Sequence, residues 1–157
     1  MGTTTNGFIF YGFVFDEDHR FPWMNEDGEG EIEDWWLKVT GFTPSVVPFD
    51  EEGNYKDGPA SSPGSIKKYF AERDAWQAEY PLPVVVENYC SADFPMYALA
   101  VPGTVTTGRR GDPTALPFGA LNKSVSLDKV NAFLEFCEKY EIKPPHDLRW
   151  FVASYWG

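Results

Sequence analysis

The chain is short of cysteine, of long hydrophobic runs and, toward its start, of positive charge, and each shortage removes a class of protein. It holds two cysteines, Cys90 and Cys137, and neither lies in a CxxC pair or a Cys/His cluster. Two such thiols make neither a disulfide framework nor a zinc site. Cys137 falls on the apolar stripe of a predicted helix, so inert burial is expected for it, and a reducing compartment suits the pair. No apolar run reaches the roughly 20 residues that cross a bilayer. The start, MGTTTNGFIFYGFVFDED, has no basic n-region, and Asn6 stands where myristoylation of Gly2 wants Ser or Thr. These features predict a cytoplasmic protein with no membrane partner. No repeat and no cofactor signature interrupts the sequence.

Positive charge is scarcest at the front. The net charge of −11 comes from 24 acids against 13 lysines and arginines. Residues 1–60 hold 13 of those acids and only Arg20, Lys38 and Lys56 as bases, a net of −10, so the remainder is nearly neutral. Such a field disfavours nucleic acid and suits a basic protein surface or a cation. Aromatics, by contrast, make 17% of the chain. Each buried ring removes about 150–250 Å² from water, so few elements suffice for a strong core. Rings beyond that need would line a pocket or an interface.

The length of 157 residues suits one domain, expected to span residues 1–157. Gly7–Phe15 is apolar on both faces, which predicts a central strand, with Gly12 marking a bulge or a close backbone approach. Ile32, Trp35, Trp36 and Val39 recur at helical spacing within Glu31–Thr40, and Gly41 follows as a C-terminal cap. A proline-rich connection from Phe42 to Gly64 reads as an ordered surface excursion anchored by Val46, Val47, Phe49 and Tyr55. Ser65 is expected to cap a second helix through Glu79, with Ile66, Tyr69, Phe70, Arg73 and Trp76 as its stripe. Val84–Tyr89 and Met96–Val101 read as strands, the latter resuming as Thr104–Thr107. A third helix follows Ser126 with the stripe Leu127, Val130, Phe133, Leu134 and Cys137, and Leu148–Tyr155 is the last strand. The order β-α-α-β-β-α-β predicts an α+β fold, a mixed or antiparallel sheet of about four strands packed by three helices.

Four constellations carry possible chemistry. Asp16 and Asp18 would point the same way if the first strand continued, as a hard cation prefers; an acidic turn needs no ligand at all. Asn25, Asp27, Glu29 and Gly30 match the first half of a calcium loop, but Trp36 stands where the bidentate Glu belongs. Arg109-Arg110-Gly111-Asp112 places two guanidiniums beside a glycine that exposes backbone N–H groups, a setting for phosphate or carboxylate or for a plain solvated turn. Cys90 or Ser91 with His19 or His146 would make a nucleophilic pair only through contact in space.

The short β-rich start and the closing RWFVASYWG of this aromatic-rich, acidic chain resemble small uncharacterised proteins of tailed bacteriophages. The resemblance implies action in the cytoplasm of a host cell against a host factor, and it carries no residue role. Glu31, Glu33 and Asp34 suit a helix N-terminus. Asp16, Asp18, Glu26, Asp27, Asp50, Glu51 and Glu52 have no such local reason, and with Trp23 and Tyr55 they form the expected recognition surface. The expected function is non-enzymatic binding or inhibition of a partner protein with a basic surface. The alternative is a binding protein or modest enzyme for an anionic nucleotide or similar small molecule, held by Arg109 and Arg110.

Overall fold

The computed structural model of the chain describes residues 5–50, 52–91, 95–109, 111–117 and 119–156. In chain order the elements are β1 (Thr5–Val14), α1 (Ile32–Thr40), α2 (Pro63–Glu79), β2 (Val85–Ser91), β3 (Pro95–Ala100), β4 (Thr106–Arg109), α3 (Ala120–Ser124), α4 (Leu127–Lys139) and β5 (Arg149–Trp156). The fold is α+β with a mixed sheet, but it has five strands and four α-helices among the described residues, against the four and three expected. The extra strand arises because the run after Met96 breaks at Pro102–Gly103. The extra helix, α3, forms inside a segment whose glycines and prolines read as loop. None of these helices is long and apolar enough to cross a membrane. The chain divides into two compact units, Met1–Glu29 with Pro83–Gly157, and Gly30–Leu82.

The first unit holds the sheet, in the order β3-β2-β5-β1-β4, with β3 also paired to β1. That last pairing closes a ring, β1–β3–β2–β5. Every pair in it is antiparallel except β2–β5, which meet in parallel at Cys90–Tyr155 and Ser91–Trp156. Cys90 takes a left-handed conformation (φ 77°) where β2 leaves β3 for β5. One edge of β1 lies along β5 from Thr5 to Gly12. The other edge is shared, with Asn6–Ile9 on β4 and Gly12–Val14 on β3.

Between those two stretches the opposing chain bulges through residues 101–105. Thr104, 1% exposed, repairs the ladder there. Its hydroxyl accepts from the Tyr11 N–H at 3.2 Å and donates to the Val101 carbonyl at 2.7 Å. The Val101 N–H in turn reaches the Tyr11 carbonyl at 2.9 Å. A buried backbone amide left without a partner would cost about 1–3 kcal/mol, so Thr104 maintains the passage from β3 to β4.

Alternation along the strands sorts the core. Phe8 and Phe10 face Ala98 and Ala100 inside the ring, with Val85, Tyr89, Phe151 and Ala153 packed around them. Two large rings face two alanines because the ring is narrow and total volume is conserved. Phe13 and Phe15 take the opposite face, and Phe13 packs on Phe133 of α4 at 5.4 Å between centroids. The outer face of β1 is thus covered at its Phe13–Phe15 end, whereas around Gly7 and Ile9 it is only half-buried, short of the cover on both faces that its composition implied. Along α4 the buried residues are Phe133, Phe136 and Cys137, while Leu127 and Leu134 are exposed, so the apolar stripe is rotated from the expected one. Burial pushes the Cys137 thiol up to about 11, which keeps it inert. Past α4, the N–H groups of Glu141 and Ile142 return to the carbonyls of Glu138 and Cys137, and buried Ile142 seals the helix end.

The second unit is built on α1 and α2. Gly41 closes α1 in a left-handed turn (φ 84°), as its position suggested. The buried residues of α1 are Ile32 and Leu37, and Val39, expected on the apolar stripe, is exposed. Helix α2 starts earlier than expected: Ser62 caps it, its hydroxyl accepting from the Ser65 N–H, and Pro63 takes the first turn, where a missing N–H is harmless. Polar contacts tie the helices together. Arg73 pairs with Asp34 at 3.3 Å, the Trp76 indole N–H reaches Thr40 at 3.0 Å, and the Trp36 indole N–H reaches the Tyr80 carbonyl at 2.9 Å. In the connection, Pro48 is the fully buried anchor and Phe49 packs on Tyr55, Tyr69 and Phe70, whereas Val47 is exposed.

Gly12 is the tightest point of the ring. A Cβ there would fall inside the Leu99 carbonyl oxygen and 2.9 Å from the Ala100 Cα, both backbone atoms that cannot step aside. Gly7 offers the comparison, since its Cβ would meet only the Ala153 carbonyl oxygen at 3.8 Å. Gly12→Ala is expected to cost about 3 kcal/mol or more, and Gly7→Ala less than about 1 kcal/mol, in denaturant midpoints.

Candidate functional site

The segment after β1 carries the first group of expected recognition acids. Phe15, Phe21 and Trp23 form a continuous stack: Phe15 meets Phe21 edge-on at 5.0 Å, and Phe21 lies parallel to Trp23 at 4.6 Å. Trp23 continues onto Phe136 of α4. At 7% exposure Trp23 belongs to the core, which corrects its expected place as a surface anchor. The cause is the alternation of Phe21 and Trp23, which turns both rings inward while Phe21 also meets Tyr97.

The polar residues of the segment fix its turns. The Arg20 guanidinium donates to the carbonyls of Glu17 and His19, and the Asn25 carboxamide oxygen accepts from the N–H groups of Asp27 and Glu29, each at 2.9 Å. Asn25 therefore spends on its own backbone the oxygen that a calcium loop would use. Asp16, Asp18, Glu26 and Asp27 all project into solvent. No group of three or more His, Cys, Asp or Glu side chains among the described residues is arranged to hold a metal ion.

His19 sits within this stack, its ring 4.3 Å from Phe15 and 4.5 Å from Phe21. Its Nε2 is buried without a hydrogen-bond partner among the described residues. Desolvation lowers its pKa from 6.5, and the nearby Asp16 carboxylate opposes that shift in part. The other histidine, His146, is fully engaged: Nε2 accepts from the Val14 N–H at 3.3 Å, and Nδ1 donates to the Asp147 carbonyl at 2.8 Å. It works as a clasp on β1, a use that explains it without a nucleophile beside it. Tyr89 donates its hydroxyl to the Phe15 carbonyl at 2.8 Å, and burial raises its pKa.

The second group of acids belongs to the other unit. Asp50 closes its own hairpin turn, accepting from the N–H groups of Glu52 and Asn54 at 3.0 and 2.8 Å. It thus has a local structural role that the sequence reading did not assign. Glu52 is exposed and Tyr55 is 59% exposed, while Glu51 lies outside the described residues. The same unit contains a groove of about 490 Å³ between the segment Phe42–Ser45 and one stripe of α2, formed by Glu72, Ala75, Trp76 and Glu79. Ser45 donates both its N–H (2.8 Å) and its hydroxyl (2.6 Å) to the Glu72 carboxylate. Those two bonds hold the Glu72 pKa down. The only mark of this groove in the sequence is two acids at i and i+7, Glu72 and Glu79, bracketing Ala75 and Trp76 at i+3 and i+4.

Arg109 ends β4, exposed, and the chain turns through Gly111 (φ 79°) so that the Asp112 N–H bonds the Arg109 carbonyl at 3.0 Å. Arg110 lies outside the described residues. A depression of about 230 Å³ on the outer face of β1, β4 and β5 is floored by Gly7 and Gly108 and walled by Ile9, Leu116 and Val152. No charged side chain is among its described lining residues.

No family model matches this chain, and neither a curated protein nor a solved structure matches it. Dividing the charge by unit changes the picture drawn from the linear sequence. Residues 30–82 hold 10 acids against 5 bases, net −5, which leaves 14 against 8, net −6, for the other unit. Each unit is acidic in its own right.

Because the folded chain favours neutral His19, the associated stability is complete above the unfolded value of 6.5 and is lost as pH falls below it. Comparing wild type with His19→Phe between about pH 7.5 and about pH 5.5 should show the wild type losing stability relative to the variant as pH falls. Parallel curves of denaturant midpoint against pH would contradict this.

Proposed function

We propose that the chain is a non-enzymatic binding or inhibitor protein that engages a basic surface of a partner protein. The observation that carries this reading is the display of Asp16, Asp18, Glu26 and Asp27 on a segment whose rings are buried and whose turns are pinned by Arg20 and Asn25. The ion pairs among the described residues, Lys68–Glu72 and Arg73–Asp34, use none of these four acids. Glu52 and Tyr55 offer a similar acidic and aromatic surface on the second unit. With Trp23 in the core, Tyr55 is the exposed ring best suited to act as an anchor.

Magnitudes shape what this surface would do. A solvent-exposed ion pair contributes about 0–1 kcal/mol, so the acids act chiefly by steering and selecting the partner. The affinity itself would come from buried contacts around them. Steering of this kind weakens as salt screens it over about 8–10 Å. A partner retained by the immobilised chain at about 0.05 M salt is expected to be released by about 0.5 M. It should also be lost when Asp16, Asp18, Glu26 and Asp27 are all changed to Lys. Equal retention at both salt concentrations and by the charge-reversed variant would overturn the reading.

A further inference from the structure

We propose that the groove between Phe42–Ser45 and α2 receives a lysine or arginine side chain of the partner; the inference rests on the reading of a basic partner given above. Its volume of about 490 Å³ lies within the usual range for binding sites, about 300–1,000 Å³. Its walls combine two kinds of surface. Phe42, Pro44, Ala75 and Trp76 are apolar, while Glu72 and Glu79 supply negative charge and no cation lines the groove among the described residues. Long basic side chains match that combination, because they lay an aliphatic stem on apolar surface and hold a charged head beside it.

The geometry separates this occupant from others. Glu72 and Glu79 lie seven residues apart on one helix, about 10 Å along its axis, too far apart to share one metal ion. An anion would meet two carboxylates and no cation in the lining. The two acids also differ in availability. Both oxygens of Glu72 are taken by Ser45, which locks Phe42–Ser45 against α2, and Lys68 sits 3.8 Å from the same carboxylate. That lysine is a partial internal example of the proposed contact. Glu79 is exposed and in no ion pair among the described residues, its carboxylate meeting only the hydroxyl of the neighbouring Tyr80, so the incoming head group meets Glu79 while its stem crosses Trp76. The Trp76 ring is fixed for this by its bond to Thr40 and by stacking on Tyr80 at 4.5 Å. No rearrangement of the walls is then required, which lowers the cost of binding.

The test is a titration of tryptophan fluorescence with a peptide of alternating lysine and glycine, and with the same peptide acetylated on every lysine. Two groove variants sit at exposed positions that folding tolerates. Glu79→Gln removes the receiving charge, and Ala75→Lys places an internal cation in the groove. A third variant neutralises the first unit's acids, with Asp16, Asp18 and Asp27 changed to Asn and Glu26 to Gln. Circular dichroism and thermal midpoints confirm that each variant is folded. The lysine peptide is expected to bind the wild type and the acetylated one to fail. Glu79→Gln should weaken binding about 3- to 5-fold and Ala75→Lys about 10-fold or more. Wild-type affinity in both groove variants, with loss only in the third, would overturn the groove assignment and leave the basic-partner reading standing. Absence of binding to wild type, or equal binding of the acetylated peptide, would overturn both.

Discussion

Hydrogen bonding on both edges of β1 is the constraint on which the sheet-bearing unit depends. One edge is given to β5 without interruption, while the other passes from β4 to β3 across a bulge. A four-strand ring this narrow leaves room for a side chain at some positions and for none at others. Gly12 marks a position with none, and Ala98 and Ala100 mark positions where only a methyl fits beside Phe8 and Phe10. Thr104 completes the arrangement by giving the Tyr11 amide a partner where the ladder is broken. Hydrophobic burial supplies most of the driving force, but backbone satisfaction decides which closed arrangement is allowed.

The acidic surface follows from that closure. Phe15 leaves β1 on its outer face, and the ring stack it begins runs through Phe21 and Trp23 to Phe136. The rings are buried, while the carboxylates of Asp16 and Asp18, between Phe15 and Phe21, and of Glu26 and Asp27, beyond Trp23, are exposed. Arg20 and Asn25 then spend their hydrogen bonds on the backbone, so the acids sit on fixed turns. In the other unit Asp50 plays the capping part and Ser45 the fixing part. A charged surface held in this way would have little conformational entropy to lose on binding, as the proposed recognition by steering and fit requires.

Much of this was legible in the sequence, and the failures have physical reasons. The central strand at Gly7–Phe15, the close approach at Gly12 and the cap at Gly41 were all readable, because each depends on local backbone chemistry. The apolar stripes were less so. In helices as short as α1 and α4, a shift of one residue rotates the face by about 100°, and Leu37 and Phe136 displaced Val39 and Leu134. Trp23 was misplaced because a polar neighbourhood looked exposed, although Phe21 two residues earlier gave the inward signal. The groove against Phe42–Ser45 lies further from view, since Ser45 and Glu72 meet across 27 residues of chain. The even split of charge between units also required the fold, because Lys67, Lys68 and Arg73 offset part of the acidity of the segment before them.

Amide hydrogen exchange tests the closure most directly. If β1 is held on both edges through Thr104, the amides of Tyr11 and Val101 exchange only when the whole sheet opens, as slowly as the most protected amides elsewhere in β1. In Thr104→Val the Tyr11 amide should become fast, while the others speed up only as far as global stability falls. Rapid exchange of Tyr11 in the wild type, beside protected neighbours, would contradict the account.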